Sequence, residues 1–282
     1  MTLKLANPDY VRQLVRRHQL RIKKRLGQHF VVSPAVVERI AQLAEIGPQD
    51  AVIEIGPGLG ALTELLARRA RQVLAVEVDP DLVSVLKEQF AGCGQVDFLE
   101  ADFLELDLAK LIQGGRNKIV GNLPYYITSP IVKKVLSSRA RFDSFTIMVQ
   151  KEVAQRMTAR PATREYGLLT LGVQYYAEVI PAGTVPRTAF WPAPEVESAL
   201  VKLVPHARPP VEVADEGFFF QVARAAFGQR RKMLGNALKS LGGVKADNLA
   251  ARVEEAGIDP RRRGETLSLA EMARLANHLR RA

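Results

Sequence analysis

The chain is poor in the residues that carry covalent or metal chemistry. Its single cysteine, Cys93, excludes an intrachain disulfide and a cysteine-based zinc cluster. Its histidines, His18, His29, His206 and His278, are scattered without metal-ligand spacing, so no metal is expected. No apolar run approaches the roughly 20 residues of a membrane span, and no membrane partner is expected. The N-terminus is charged and lacks the apolar stretch of a secretory signal, which points to a cytoplasmic protein. There is no internal repeat, and nothing suggests a dimer, so a monomer is expected. What is present is ordinary globular composition. The 282 residues are 47% hydrophobic and 25% charged, enough for one large core and a smaller unit.

Positive charge is in excess, and its placement is informative. Net charge is +10. Residues 1–30 hold 8 Lys/Arg against 1 Asp, residues 31–205 hold 18 basic against 20 acidic, and residues 206–282 hold 14 basic against 9 acidic. A near-neutral body between basic flanks suggests a polyanion gripped by the flanks.

Residues 1–30 read as a basic arm without a core of its own, partly helical on the one-face spacing of Val11, Leu14 and Val15, and punctuated by Arg16-Arg17 and Lys23-Lys24-Arg25. Ser33-Pro34 then opens an amphipathic helix, with Ser33 as N-cap. From there strands and helices alternate. Strands are expected at 51–55, 73–78, 96–99, 118–120 and 144–149, and helices at 61–69, 80–90 and from 131. That alternation predicts an α/β fold with a parallel sheet covered on both faces. Residues 168–179 and 198–203 read as later strands, separated by a loop rich in proline (Pro186, Pro192, Pro194). Pro205, Pro209 and Pro210 mark a linker. Beyond it helices are expected at 217–227, 230–240, 246–256 and 269–281. The expected organisation is an arm (1–30), a cofactor-binding domain (31–205) and a helical domain (206–282).

Ligands in open parallel sheets sit at the carboxyl ends of the strands, and four strand ends here carry suitable residues. Glu54-Ile55-Gly56-Pro57-Gly58-Leu59-Gly60 joins the first strand to a helix. Its glycines, Gly56 and Gly58 in particular, let a ligand approach the backbone. Glu54 either braces this loop or touches the ligand. Glu77 ends the second strand, where a carboxylate can accept from both ribose hydroxyls. Asp102 follows the third and can accept from an adenine amine. Asn122-Leu123-Pro124-Tyr125 follows the fourth. An exocyclic base amine is a poor nucleophile because its lone pair is delocalised. A carboxamide oxygen and the Leu123 carbonyl can accept its N–H bonds, Pro124 stiffens the turn, and Tyr125 can stack on the base. A nicotinamide site would prefer Gly-x-Gly-x-x-Gly. The Gly-x-Gly-x-Gly here, with the amide–Pro–Tyr set, fits S-adenosylmethionine better, S-adenosylhomocysteine being the product.

Several segments then carry a resemblance. These are Gly27-Gln28-His29-Phe30-Val31, Glu54 to Gly60, Glu77, Asp102, Gly121 to Tyr125, Phe190 to Ala199 (Phe-Trp-Pro-Ala-Pro-Glu-Val-Glu-Ser-Ala) and Phe227 to Leu234 (Phe-Gly-Gln-Arg-Arg-Lys-Met-Leu). Together they resemble the ribosomal RNA adenine N6,N6-dimethyltransferases of the KsgA type, from about residue 20 to the C-terminus. The resemblance implies a class I, Rossmann-like methyltransferase sheet with a small all-helical C-terminal domain. It implies dimethylation of two adjacent adenosines in the 3′-terminal hairpin loop of small-subunit rRNA, in ribosome biogenesis, with the 30S particle as partner. It implies cofactor contacts around His29 and Val31 and at Gly56, Glu77, Asp102 and Asn122. The family usually has Asn where His29 stands and Leu where Val31 stands.

On this reading Phe190 offers a second stacking face to the base. Arg224, Arg230, Arg231, Lys232, Arg261, Arg262 and Arg263 grip RNA phosphates, together with the arm. Two alternatives stand beside it: the related methyltransferase of large-subunit rRNA that confers macrolide resistance, and a non-catalytic ribosome-assembly or transcription factor on the same fold. Tyr125 and the Phe-Trp-Pro-Ala-Pro segment favour the small-subunit type, and the acids Glu77 and Asp102 with Asn122 speak against lost catalysis.

Overall fold

The computed structural model describes residues 3–112, 115–138, 141–229, 231–241 and 249–280. It contains a short strand β1 (Phe30–Val31), then β2 (Asp50–Ile55), β3 (Gln72–Glu77), β4 (Val96–Glu100), β5 (Arg116–Asn122), β6 (Ser144–Gln150), β7 (Ala177–Val185), β8 (Phe190–Trp191) and β9 (Ser198–Pro205). Seven of these form one sheet in the order β4-β3-β2-β5-β6-β9-β7, while β1 and β8 make a separate antiparallel pair. β4, β3, β2, β5 and β6 are mutually parallel, and β9 runs antiparallel to β6. The chain lays β3 and β4 on one side of β2, then crosses to place β5 on the other. The crevice between the ends of β2 and β5 is thus the topological switch point, where such sheets bind ligands.

The parallel strands form because they are apolar runs that can be buried from both faces. Ile119, Val120, Phe145, Ile147, Met148 and Val149 are fully buried. Helices Ala61–Arg69 and Pro80–Gln89 follow β2 and β3 within a residue or so of the sequence reading. Pro34–Leu43 is also helical, with Ser33 at the N-cap position, although its hydroxyl makes no capping hydrogen bond. The helix is held instead by burial of Val36, Val37, Ile40 and Ala41.

Two compact units emerge, one of Met1–Ala154 with Val179–Pro205, the other of Gln155–Glu178 with His206–Ala282. This departs from the sequence reading twice. The arm is not an appendage. Residues Pro8–Arg17 are helical, as the spacing of Val11, Leu14 and Val15 implied, but Leu3, Leu5, Val11 and Leu14 are buried in the core of the first unit. The Leu5 amide donates to Glu64 and the Tyr10 hydroxyl to Gln89. The second departure is the segment 168–179, expected as a strand. Leu168–Tyr176 is a helix, and β7 begins only at Ala177.

That helix belongs to the second unit. It buries Leu171 and Tyr175 among Phe219, Val222, Leu234, Leu238, Val253 and Leu275. Tyr175 and Phe219 stack with ring centroids 5.2 Å apart. Tyr166 is buried and its hydroxyl donates to the Leu267 carbonyl. The long helices of this unit are Glu216–Gly228 and Leu269–Arg280. The helix expected over 230–240 is reduced to one turn, Leu234–Ala237, with a 3-10 turn after it, and Arg230 lies outside the described residues. The helix expected over 246–256 is described at Leu249–Glu255.

Candidate active site

One cavity at the carboxyl ends of the parallel strands collects the residues assigned from the sequence to the cofactor and to the Asn122–Tyr125 turn, but not Phe190. His29, Val31, Gly56, Gly58, Glu77, Asp102, Asn122, Leu123, Pro124 and Tyr125 all line it. The loop after β2 needs its glycines. Gly56, Gly58 and Gly60 have φ of +67°, +61° and +89°. A Cβ on Gly58 would stand 3.0 Å from the Phe30 ring, and one on Gly60 would stand 2.9 Å from Phe90. A side chain at either place would be strained, and one on Gly58 would crowd the cavity against Phe30.

Glu54 lines the cavity and is tied to the loop's helix. It is buried, and its carboxylate accepts a 2.6 Å hydrogen bond from Thr63, on the helix that the loop opens. Burial pushes its carboxyl up to about 8. Glu77 is also buried but is prepared for a ligand. Its carboxylate accepts from the backbone N–H groups of Val78 and Asp79 at 3.0 Å and of Gly58 at 3.3 Å. Burial raises its pKa to about 7, and those N–H donors restrain the rise. Asp102 is exposed at the rim, and its Oδ1 accepts from the Leu104 amide, which caps the 3-10 turn Phe103–Glu105.

The turn after β5 is set by packing. A Cβ on Gly121 would stand 2.7 Å from the Ile55 carbonyl, so only glycine lets β5 lie this close to β2 just before Asn122. The Asn122 Nδ2 donates to the His29 carbonyl at 3.0 Å, which leaves the amide oxygen as an acceptor. The Leu123 amide donates to Met148, and its side chain is buried. The Pro124 carbonyl accepts from the Ile127 amide and the Thr128 hydroxyl. Tyr125 is half-buried. Its ring stacks on His29 at 5.8 Å and 28°, and its hydroxyl lies 2.8 Å from Ser198 Oγ. His29 Nδ1 lies 2.8 Å from the Pro192 carbonyl. The carbonyl can only accept, so Nδ1 carries the proton.

Sequence reasoning missed residues in the same cavity. Gln28 donates to the Asp79 carboxylate and accepts from the Lys23 amide, and Lys23 is ion-paired with Asp79 and Asp81. These contacts strap the segment before His29 to the end of β3. Tyr126, 55% exposed, stands at the mouth beside Tyr125. The doubled tyrosine was the one available signal. The strap had none, since its partners are more than 50 residues apart.

The assigned RNA contacts divide. Phe190 is a correction. It is only 4% exposed, packs in the core and pairs with Val31 through β8 and β1, so its ring is not presented to a base. Arg262 is half-buried and already engaged within the protein. It forks onto the Glu271 carboxylate and the Thr266 carbonyl. That guanidinium holds the Glu271 carboxyl down at about 2. Arg261 is exposed but clasps Asp259. Arg224, Arg231, Lys232 and Arg263 are exposed, and Arg231 and Lys232 edge a shallow groove with Asn236 and Lys239.

The sheet order and a glycine loop, acid and Asn-Leu-Pro-Tyr turn at the ends of the neighbouring strands β2, β3 and β5 define a class I methyltransferase fold. Residues 19–281 match the family described as ribosomal RNA adenine dimethylase, and the chain belongs to that family. It is 48% identical to the ribosomal RNA small subunit methyltransferase A of Moorella thermoacetica over 98% of each chain. A dimethyladenosine transferase from Plasmodium falciparum superposes with a TM-score of 0.74 at 25% identity, over 88% of this chain and 96% of that one. The 23S rRNA methyltransferase ErmE superposes with a TM-score of 0.66 at 29% identity, over 89% and 99%. Among the described residues no helix is long and apolar enough to cross a membrane, and no group of three or more His, Cys, Asp or Glu could hold a metal ion.

Proposed function

We propose that this protein transfers methyl groups from S-adenosylmethionine to the N6 amines of two adjacent adenosines in the 3′-terminal hairpin loop of small-subunit rRNA, with the 30S particle as its substrate in ribosome biogenesis. The observation that carries the reading is the Asn122 amide, pinned through its N–H to the His29 carbonyl and left with its oxygen free to accept. The residues present fit the cofactor. Glu77, with three N–H donors already on its carboxylate, suits a ribose diol, and the Gly58 position has no room for a side chain. Gly56, Gly58, Glu77 and Asp102 would hold the adenosyl portion, with the backbone around His29 and Val31. When bound, the cofactor supplies an electrophilic methyl on a sulfonium with a neutral leaving group.

The chain's own task is alignment. Asn122 Oδ1 and the Leu123 carbonyl accept the two N–H bonds of the target amine and concentrate its lone pair on nitrogen. Tyr125 stacks on the base. Each transfer displaces one N–H proton, which leaves to solvent; after the first a single N–H remains, so the turned amine donates to only one of the two acceptors for the second transfer. The target adenosines leave their stack at low cost in a single-stranded loop. The small-subunit reading is supported over the large-subunit one by the higher identity of the Moorella thermoacetica relative, 48% against 29% for ErmE. The non-catalytic alternative is disfavoured by the intact acceptor set.

Tritiated methyl transfer into unmethylated 30S particles, naked small-subunit rRNA and 50S particles, with mapping of the product, tests this. Label at adjacent adenosines of the 30S hairpin is expected. Label confined to 50S particles would overturn the substrate, and none anywhere would overturn the activity. Asn122→Ala is expected to cost about 2–4 kcal/mol in kcat, the effect of losing a well-placed transition-state hydrogen bond.

A further inference from the structure

We infer that Ser198 is a positioning residue for the target base, and that the segment Phe190–Ala199 is a second scaffold for the Asn122–Tyr125 turn. This rests on the reading that Tyr125 stacks on the base. The Ser198 side chain is fully buried, and Ser198 is the first residue of β9, paired across the ladder with Gln150. Its hydroxyl is thus fixed by the sheet, and it meets the Tyr125 hydroxyl at 2.8 Å. A tyrosine hydroxyl lies on the axis about which the ring flips, so this bond sets the position of the ring tip but not the ring plane. The plane is set from the other side. The His29 ring lies against Tyr125 at 5.8 Å, and His29 is tied through Nδ1 to the Pro192 carbonyl at 2.8 Å.

The two anchors come from the two ends of one proline-stiffened segment. His29 also accepts from Asn122 through its carbonyl. Ser198, Tyr125, His29 and Asn122 therefore form one connected frame, in which the stacking ring and the amide acceptor are held relative to each other before substrate arrives. Such preorganisation acts on the reacting geometry, and small misplacements there are costly. A role for the Phe-Trp-Pro-Ala-Pro-Glu-Val-Glu-Ser motif follows that does not require Phe190 to touch RNA.

The test uses the full chain, unmethylated 30S particles and saturating S-adenosylmethionine, with Tyr125→Phe, Ser198→Ala, the double variant and Ser198→Thr. Cofactor affinity by calorimetry and the thermal midpoint are read alongside. Tyr125→Phe removes one oxygen and keeps the ring, so it decides the matter even if Ser198→Ala fails to fold. Each single change is expected to lower kcat roughly tenfold, with the double variant no worse than either single, since both remove the same bond. Cofactor affinity is expected to stay unchanged, and Ser198→Thr to recover most of the loss. Wild-type kcat in Tyr125→Phe, or single losses that multiply in the double variant, would overturn the inference. Asn122→Ala run in parallel separates the two levels: if it is inactive while Tyr125→Phe is intact, only the role of Ser198 falls, and if it is itself fully active, the underlying site assignment falls.

Discussion

Glu77 is held in an awkward state that a ligand can relieve. Its folded pKa is raised to about 7, chiefly by burial. A raised acid contributes stability that is complete below the unfolded pKa and lost as pH rises through the folded value, so the free protein loses stability as Glu77 ionises. Two ribose hydroxyls donating to the carboxylate favour the ionised form, so cofactor affinity is expected to fall as pH drops below about 7. The limiting slope is about tenfold per pH unit, read by calorimetry between pH 5.5 and 8. Flat affinity across that range would remove Glu77 from the ribose site. Glu54, raised to about 8 and bonded only to Thr63 among the contacts described, behaves differently. It holds its proton at neutral pH, so glutamine is a near-isostere. Glu54→Gln is expected to gain on the native chain by up to about 1 kcal/mol per pH unit between pH 5 and 8, in denaturant unfolding. A difference that does not change with pH would contradict the buried, ligand-independent role. The sequence placed Glu77 at a ribose and left Glu54 between brace and ligand contact; the hydrogen bond from Thr63 to Glu54 and the three backbone N–H donors on Glu77 are what the sequence could not display.

At the scale of elements, the site depends on how closely β5 approaches β2. Gly121→Ala would place a methyl 2.7 Å from the Ile55 carbonyl, where the neighbour is backbone and cannot swing aside. The strands must part, and Asn122 moves with β5. The expected cost is about 1–3 kcal/mol of stability, with a loss of kcat larger than that destabilisation explains. Unchanged unfolding and kinetics would show that the strand spacing is adjustable. The parallel strands were legible because each is a short apolar run bounded by turn residues, and the residues read at their ends line one cavity. The segment Leu168–Tyr176 was not legible, because its leucine, valine and tyrosine content reads as strand. Packing of Leu171 and Tyr175 against Phe219 decides for helix, and no local pattern records that partner. In the arm the helical spacing of Val11 and Leu14 was legible, but the burial of Leu3, Leu5, Val11 and Leu14 was not, because distant elements cover them.

At the scale of the whole molecule, charge has two duties that composition cannot separate. Arg261-Arg262-Arg263 reads as one basic run, yet Arg262 is drawn into Glu271, nine residues on, and Arg261 into Asp259. Arg231 and Lys232 stand in the open beside Lys239. If the exposed cations grip phosphate, replacing Arg231 or Lys232 by alanine should weaken binding to 30S particles. Each change should also reduce the slope of log affinity against log salt by roughly 0.7–0.9, the counterion release of one phosphate contact. Arg262→Ala should act through folding instead. It leaves Glu271 without its guanidinium, so the variant is expected to lose stability at neutral pH. The loss should shrink as pH falls toward about 2, where the native pairing is itself titrated away. Because the pair is partly exposed, the effect is on the order of 1 kcal/mol. Its salt slope for 30S binding should match that of the native chain. A changed slope in Arg262→Ala, with stability intact, would return this residue to the RNA contact surface and make the Glu271 pairing incidental.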